Sequence, residues 1–121
     1  MPSNVAYVGI RGPQPGYGHG GSRIVGVVRD GEKRTLTLGD ERYLRQESFE
    51  WGYDGAGPAL LAQAILNDYL GIEVDLLVAR TFMREVVAHL PLEFELDGRD
   101  VAQWLSGRLG SSLRDEARAS L

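Results

Sequence analysis

Phe49-Glu50-Trp51-Gly52-Tyr53-Asp54-Gly55-Ala56-Gly57-Pro58 is the stretch on which the fold turns. Before it, apolar residues recur at every second position, the period of a strand with one covered face. After it, Ala59–Leu70 is almost wholly apolar, with Gln63, Asn67 and Asp68 gathered on one narrow face, as in a buried helix. The stretch is therefore a strand-to-helix junction. Glycines at 52, 55 and 57 allow positive φ or close approach of another segment. Phe49, Trp51 and Tyr53 alternate with other residues, and the reading divides them into a set covering the helix start and a set facing outward. Pro58 can open the helix at its first position, where a missing N–H has no partner to lose.

Working back toward the N-terminus, Lys33–Leu38 alternates Arg34, Leu36 and Leu38 with Thr35 and Thr37, a strand pattern. Asp30-Gly31 supplies the positive-φ pair of a hairpin joining it to a strand over Ile24–Arg29. Asn4–Arg11, with Val5, Tyr7, Val8 and Ile10, is the opening strand. Gly39–Glu47 is polar and reads as irregular.

Working forward, Gly71 stops the first helix. A second is predicted from about Glu73 to Leu90, with Val78, Ala79, Phe82, Met83, Val86, Val87 and Leu90 three and four apart. Pro91 ends it, because the residue before a proline avoids helical geometry. Leu92, Phe94 and Leu96 alternate with Glu93 and Glu95 as a fourth strand. Asp97 caps a last helix carrying Val101, Trp104 and Leu105. Strands first, then helices with a late strand, predict one α+β domain over residues 1–121. Its antiparallel sheet has three to four strands, with two to three helices packed on one face. Residues 110–121 read as a mobile tail.

Composition excludes several function classes. The 121 residues carry 13 Lys plus Arg against 17 Asp plus Glu, a net charge of −4, so no global basic footprint marks a nucleic-acid binder. There is no cysteine, hence no disulfide scaffold, thiolate metal site or thiol nucleophile. The start lacks the cationic and apolar regions of a signal peptide, and no apolar run is long enough to span a bilayer. A cytoplasmic location without membrane contact is the expectation.

Gly16-Tyr17-Gly18-His19-Gly20-Gly21 formally matches a dinucleotide fingerprint. That motif works only where a strand enters the turn and a helix leaves it, so that helix amides meet the pyrophosphate. Here the loop leads into a strand, and the reading is instead a flexible Gly-rich surface loop over 12–21, with Tyr17 and His19 available for contact. No cofactor is expected. His19 and His89 are the only histidines and nothing places them together; His89 near a helix C-terminus is explained by the dipole. No metal site is expected.

The quoted stretch resembles domain-of-unknown-function family 6166, a bacterial and phage family of small proteins. The resemblance rests on Tyr7-Val8-Gly9, on Phe49-Glu50-Trp51-Gly52-Tyr53 with Gly55 and Gly57-Pro58-Ala59, and on the apolar run Leu60–Leu66. It continues through Phe82, Val86, Leu90-Pro91 and Val101 with Trp104-Leu105, covering most of the chain except the tail. It implies a short protein of phages, plasmids or other mobile elements, and brings no activity with it. The Gly12–Gly21 loop departs from the family pattern, which has a shorter connection there.

The leading functional expectation is a small acidic non-enzymatic interaction protein that binds and modulates a host protein. Its candidate contact residues are Tyr17 and His19 of the loop and Trp51 and Tyr53 of the aromatic stretch, residue types that anchor interfaces. The alternative is a ligand binder or enzyme using Glu50 and Asp54 near the N-terminus of the Pro58 helix, whose amides favour anions. A third reading is nucleic-acid binding through Arg11, Arg23, Arg29 and Arg34 of the first sheet. Leu113, Ala117 and Leu121, four apart, offer a surface for a homodimer.

Overall fold

The computed structural model describes residues 4–12, 22–37 and 49–107. Strands β1 (Val5–Gly12), β2 (Ser22–Arg29), β3 (Glu32–Thr35) and β4 (Phe94–Asp97) form one sheet in the order β3-β2-β1-β4. Every neighbouring pair is antiparallel. Helices α1 (Ala56–Leu70), α2 (Leu76–Glu85) and α3 (Gly98–Leu105) complete a single α+β domain, with a short 3-10 turn over Val87–His89.

The β2–β3 hairpin is closed by Asp30 at φ 52° and Gly31 at φ 87°, both positive, as a two-residue turn matched to strand twist requires. Asn4 braces it through both its backbone groups: its carbonyl accepts from Asp30 N at 2.8 Å, and its N–H donates to Asp30 Oδ1 at 3.1 Å. β3 ends at Thr35, short of the predicted Leu38. Leu36 is nonetheless buried, and its N–H still reaches Val25 O at 3.0 Å.

The period-2 rule sorts the sheet into two faces. Val5, Tyr7, Val25, Val27, Phe94 and Leu96 point to the helical side and are buried together with Leu61, Ile65, Leu66, Phe82, Val101 and Leu105. Gly9 is required here: a Cβ on it would stand 2.0 Å from Phe94 Cε2, so only glycine lets the Phe94 ring lie across β1. Phe94 in turn meets Trp51 edge-on, with centroids 5.0 Å apart and an interplanar angle of 81°.

Helix α1 is the most buried, as its near-continuous apolarity predicts, and it stops at Gly71 with φ 72°. It begins two residues before Pro58, at Ala56, with the first helical bond from Ala59 N to Gly55 O. Pro58 therefore occupies the third position of the helix, where its missing N–H still lies among the four that have no intrahelical acceptor.

The second predicted helix is shorter than its periodicity suggests. Asp75 caps it by accepting from Leu77 N at 2.7 Å, and Asn67 Oδ1 takes Val74 N at 2.8 Å, so Glu73 and Val74 belong to the turn. At the far end Val86, at φ −121° and ψ −62°, breaks the helix, and Val87–His89 tightens into the 3-10 turn. The Val87 carbonyl accepts from Gly52 N at 3.0 Å, a demand made by the aromatic stretch and absent from the local pattern. β4 starts at Phe94, leaving Leu92 outside the strand and exposed. Asp97 caps α3 as predicted, in a capping box with Asp100.

Candidate functional site

The aromatic stretch resolves into a strap lying across the exit of α2. Phe49 and Trp51 are both buried, while Tyr53 is about half exposed. Trp51 Nε1 donates to Pro91 O at 2.9 Å and to Leu92 O at 3.0 Å, closing two carbonyls that the proline break leaves free of the helix. Trp51, a candidate contact residue from sequence, is thus a core residue. Its indole is committed to the chain and presents nothing to a partner.

Tyr53 turns back, and its hydroxyl donates to Glu50 Oε1 in a short hydrogen bond. Glu50 lies against the first turn of α1: a Cβ on Gly57 would meet Glu50 Oε1 at 2.3 Å. The chain's own carboxylate therefore sits where the helix dipole favours an anion. Asp54 faces away, toward Arg84 Nε at 3.8 Å across exposed surface. Glu50 and Asp54 thus engage different neighbours, Tyr53 and Arg84. Tyr17 and His19, with residues 13–21 of the Gly-rich loop, lie outside the described residues, as do residues 108–121, whereas Gly12 closes β1.

One cluster escaped the sequence reading. Asp68 of α1, its side chain only 9% exposed, accepts from Tyr7 OH at 2.7 Å, from Arg29 Nη2 at 2.9 Å and from Arg34 Nη2. The Asp68 backbone carbonyl takes a further contact from Arg29 Nη2 at 3.4 Å. Burial, reinforced by the neighbouring Asp68 carboxylate, pushes the Tyr7 phenol far above the usual tyrosine range, so it stays a donor. An anion met by two guanidinium groups and a phenol ties α1 to β1, β2 and the residue opposite Val27 on β3. Two of the arginines considered for phosphate contact are thereby turned to the helical side and held by Asp68. The signal available was Asp68 itself, the one acid on a largely apolar helix.

The exposed surface of the helical layer is unusually apolar around the α1–α2 turn. Leu70, Ile72, Leu76 and Leu77 stand 40%, 64%, 63% and 74% exposed. Next to them a groove of about 290 Å³ runs between α1 and α2, with Ala59, Leu60, Leu76 and Ala79 in its walls and Gln63 and Arg80 also lining it. Among the described residues no three acidic or histidine side chains come together as a metal site. No described helix is long and apolar enough to cross a membrane.

The family model for a family of unknown function, DUF6166, matches residues 7–107. The chain belongs to that family. The match spans the sheet, the aromatic strap and all three helices, so the elements that bury Trp51 and Asp68 are family territory. Comparison with curated proteins and with solved structures yields no significant match.

Proposed function

We propose that this DUF6166 protein is a small non-enzymatic interaction module that binds and modulates a host protein. The observation that carries the reading is the exposed leucine–isoleucine cluster at the α1–α2 turn, beside its groove. Large exposed apolar side chains gathered next to a concave surface mark partner contacts on soluble domains. Ile72, Leu76 and Leu77 are placed there by the turn and the Asp75 cap, which fix where α2 begins. The partner that fits presents apolar side chains to the groove and a carboxylate to Arg80. The location of the module inside the cell, and its carriage by a phage or other mobile element, belong to the same proposal.

Glu50 and Asp54 support the enzyme reading less well, because one is folded onto the helix start and the other is paired at the surface. The test is co-purification from the native host with tagged wild type and with Leu76→Glu/Leu77→Glu. Both leucines are exposed enough for the variant to keep its fold. A protein retained by wild type and lost from the variant supports the reading. Equal retention by both, or retention of nothing by wild type, refutes it.

A further inference from the structure

The sheet has a second face, opposite the helices, and its composition is that of an interface. Ala6, Val8 and Ile10 of β1 stand beside Val28, Gly26 and Ile24 of β2, pair by pair in the register. Ile10 and Ile24 are 45% and 41% exposed. On one flank Lys33 of β3 pairs with Val28; on the other, Glu95 of β4 pairs with Val8. A hollow of about 200 Å³ opens over Gly26, with Val8, Ile10, Ile24, Val28 and Lys33 around it.

We infer that this face takes a second copy of the same chain, the two sheets stacking face to face about a two-fold axis that runs along the strands between β1 and β2. Three observations carry the choice of occupant. The strand order β3-β2-β1-β4 makes such an axis exchange β1 with β2 and β3 with β4. Because Val8 is in register with Gly26, the axis then sets each copy's Val8 over the partner copy's Gly26 hollow, and each Ile10 over an Ile24. Lys33, Val28, Ala6 and Asp97 share one level of the sheet and Glu95 lies two residues along β4, so the same operation sets Lys33 of each copy over the acidic Glu95–Asp97 flank of the other. Charge on one edge thus meets opposite charge twice, as an isologous interface requires. Stacked sheets stand about 10 Å apart, a gap that these side chains span.

The face is only three residues deep along each central strand, so the pair belongs with small interfaces, and association in the range of about 10–500 µM is expected. Both helical layers end up on the outside, so a dimer would carry two α1–α2 surfaces pointing away from each other. The inference does not depend on what those surfaces bind.

Sedimentation equilibrium on the full chain tests it, with Lys33→Glu, Glu95→Lys, the double exchange and Gly26→Leu. A side chain at Gly26 is compatible with the folded monomer, since a Cβ there meets nothing closer than Arg34 O at 3.7 Å. It would, however, fill the hollow. Wild type is expected to dimerise, each single charge reversal to weaken the dimer about fivefold or more, and the double exchange to recover part of that loss, Asp97 still facing position 33. Gly26→Leu is expected to stay monomeric with an unchanged circular dichroism spectrum. A wild type that stays monomeric to about 500 µM overturns the inference. So does a dimer that neither Gly26→Leu nor the charge reversals disturb, or a double exchange no better than the single ones.

Discussion

Raising the pH probes the buried Tyr7–Asp68 contact without altering a single atom of the chain at neutral pH. The Tyr7 phenol is fully buried and donates to Asp68 at 2.7 Å, and its pKa is raised first by burial and then by that carboxylate. In the unfolded chain a tyrosine titrates near 10. Between that value and the raised native one, the folded state holds a proton that the unfolded state has released, so stability falls as pH rises. The stabilising contribution is complete below about pH 10 and declines by about 1.4 kcal/mol per pH unit above it. At pH 11.5 this one group has cost about 2 kcal/mol.

Tyr7→Phe removes both the titration and the hydrogen bond. At pH 7 the variant should be about 1.5–2 kcal/mol less stable, the worth of a buried bond to a charged acceptor. Its stability should then fall less steeply in alkali, because the other four tyrosines titrate in both proteins. The two curves should meet between about pH 11 and 11.5. Urea unfolding of both proteins at intervals from pH 7 to 11.5 gives the curves. Parallel curves would refute the reasoning, as would a 295 nm titration of the folded protein in which all five tyrosines ionise near pH 10.

Further substitutions read out the strap and the close approach beneath it. Trp51→Phe should cost about 2 kcal/mol in urea unfolding, since Pro91 O and Leu92 O lose their shared donor. Trp104→Phe should cost under about 1 kcal/mol, because Trp104 Nε1 donates to the exposed Glu85 carboxylate at 2.9 Å; equal costs would contradict the burial argument. Gly9→Ala should cost about 1–3 kcal/mol as the new methyl drives the Phe94 ring off its edge contact with Trp51. Adding Phe94→Leu to that variant should recover part of the loss, and a purely additive pair would show that the ring is not the obstacle.

What the sequence disclosed was decided by neighbours along the chain. Asp30-Gly31 needs no distant contact to make its turn, Gly71 terminates α1 by its own conformational freedom, and Asp97 with Asp100 forms a capping box within four residues. The alternation in β1 and β2 likewise sorts inner from outer faces by itself. What it concealed depends on partners far away. Trp51, a candidate contact residue by its type, is buried because its two acceptors lie 40 and 41 residues downstream, where no local pattern points. Asp68 shares a narrow polar face with Gln63 and Asn67, yet its donors are 61, 39 and 34 residues upstream. The apolar spacing runs on through Leu90, past the break at Val86, and the hydrogen bond from Gly52 N to Val87 O in the tightened turn has no local signature. Glu50 precedes α1 closely in the sequence, but its engagement with Tyr53 and Gly57 is a matter of three-dimensional fit.

The central claim is that the apolar surface at the α1–α2 turn, and not the carboxylates near the start of α1, carries the function. The direct measurement is the amount of any host protein captured by Leu77→Glu and by Glu50→Gln, run beside wild type at matched concentration. Leu77 is 74% exposed, and Glu50→Gln keeps an oxygen able to accept from Tyr53, so both variants should fold. The account predicts that Leu77→Glu loses at least about nine-tenths of the captured protein, the tenfold loss of a contact residue worth about 1.4 kcal/mol, while Glu50→Gln retains it. Capture that survives Leu77→Glu and is lost with Glu50→Gln would contradict it.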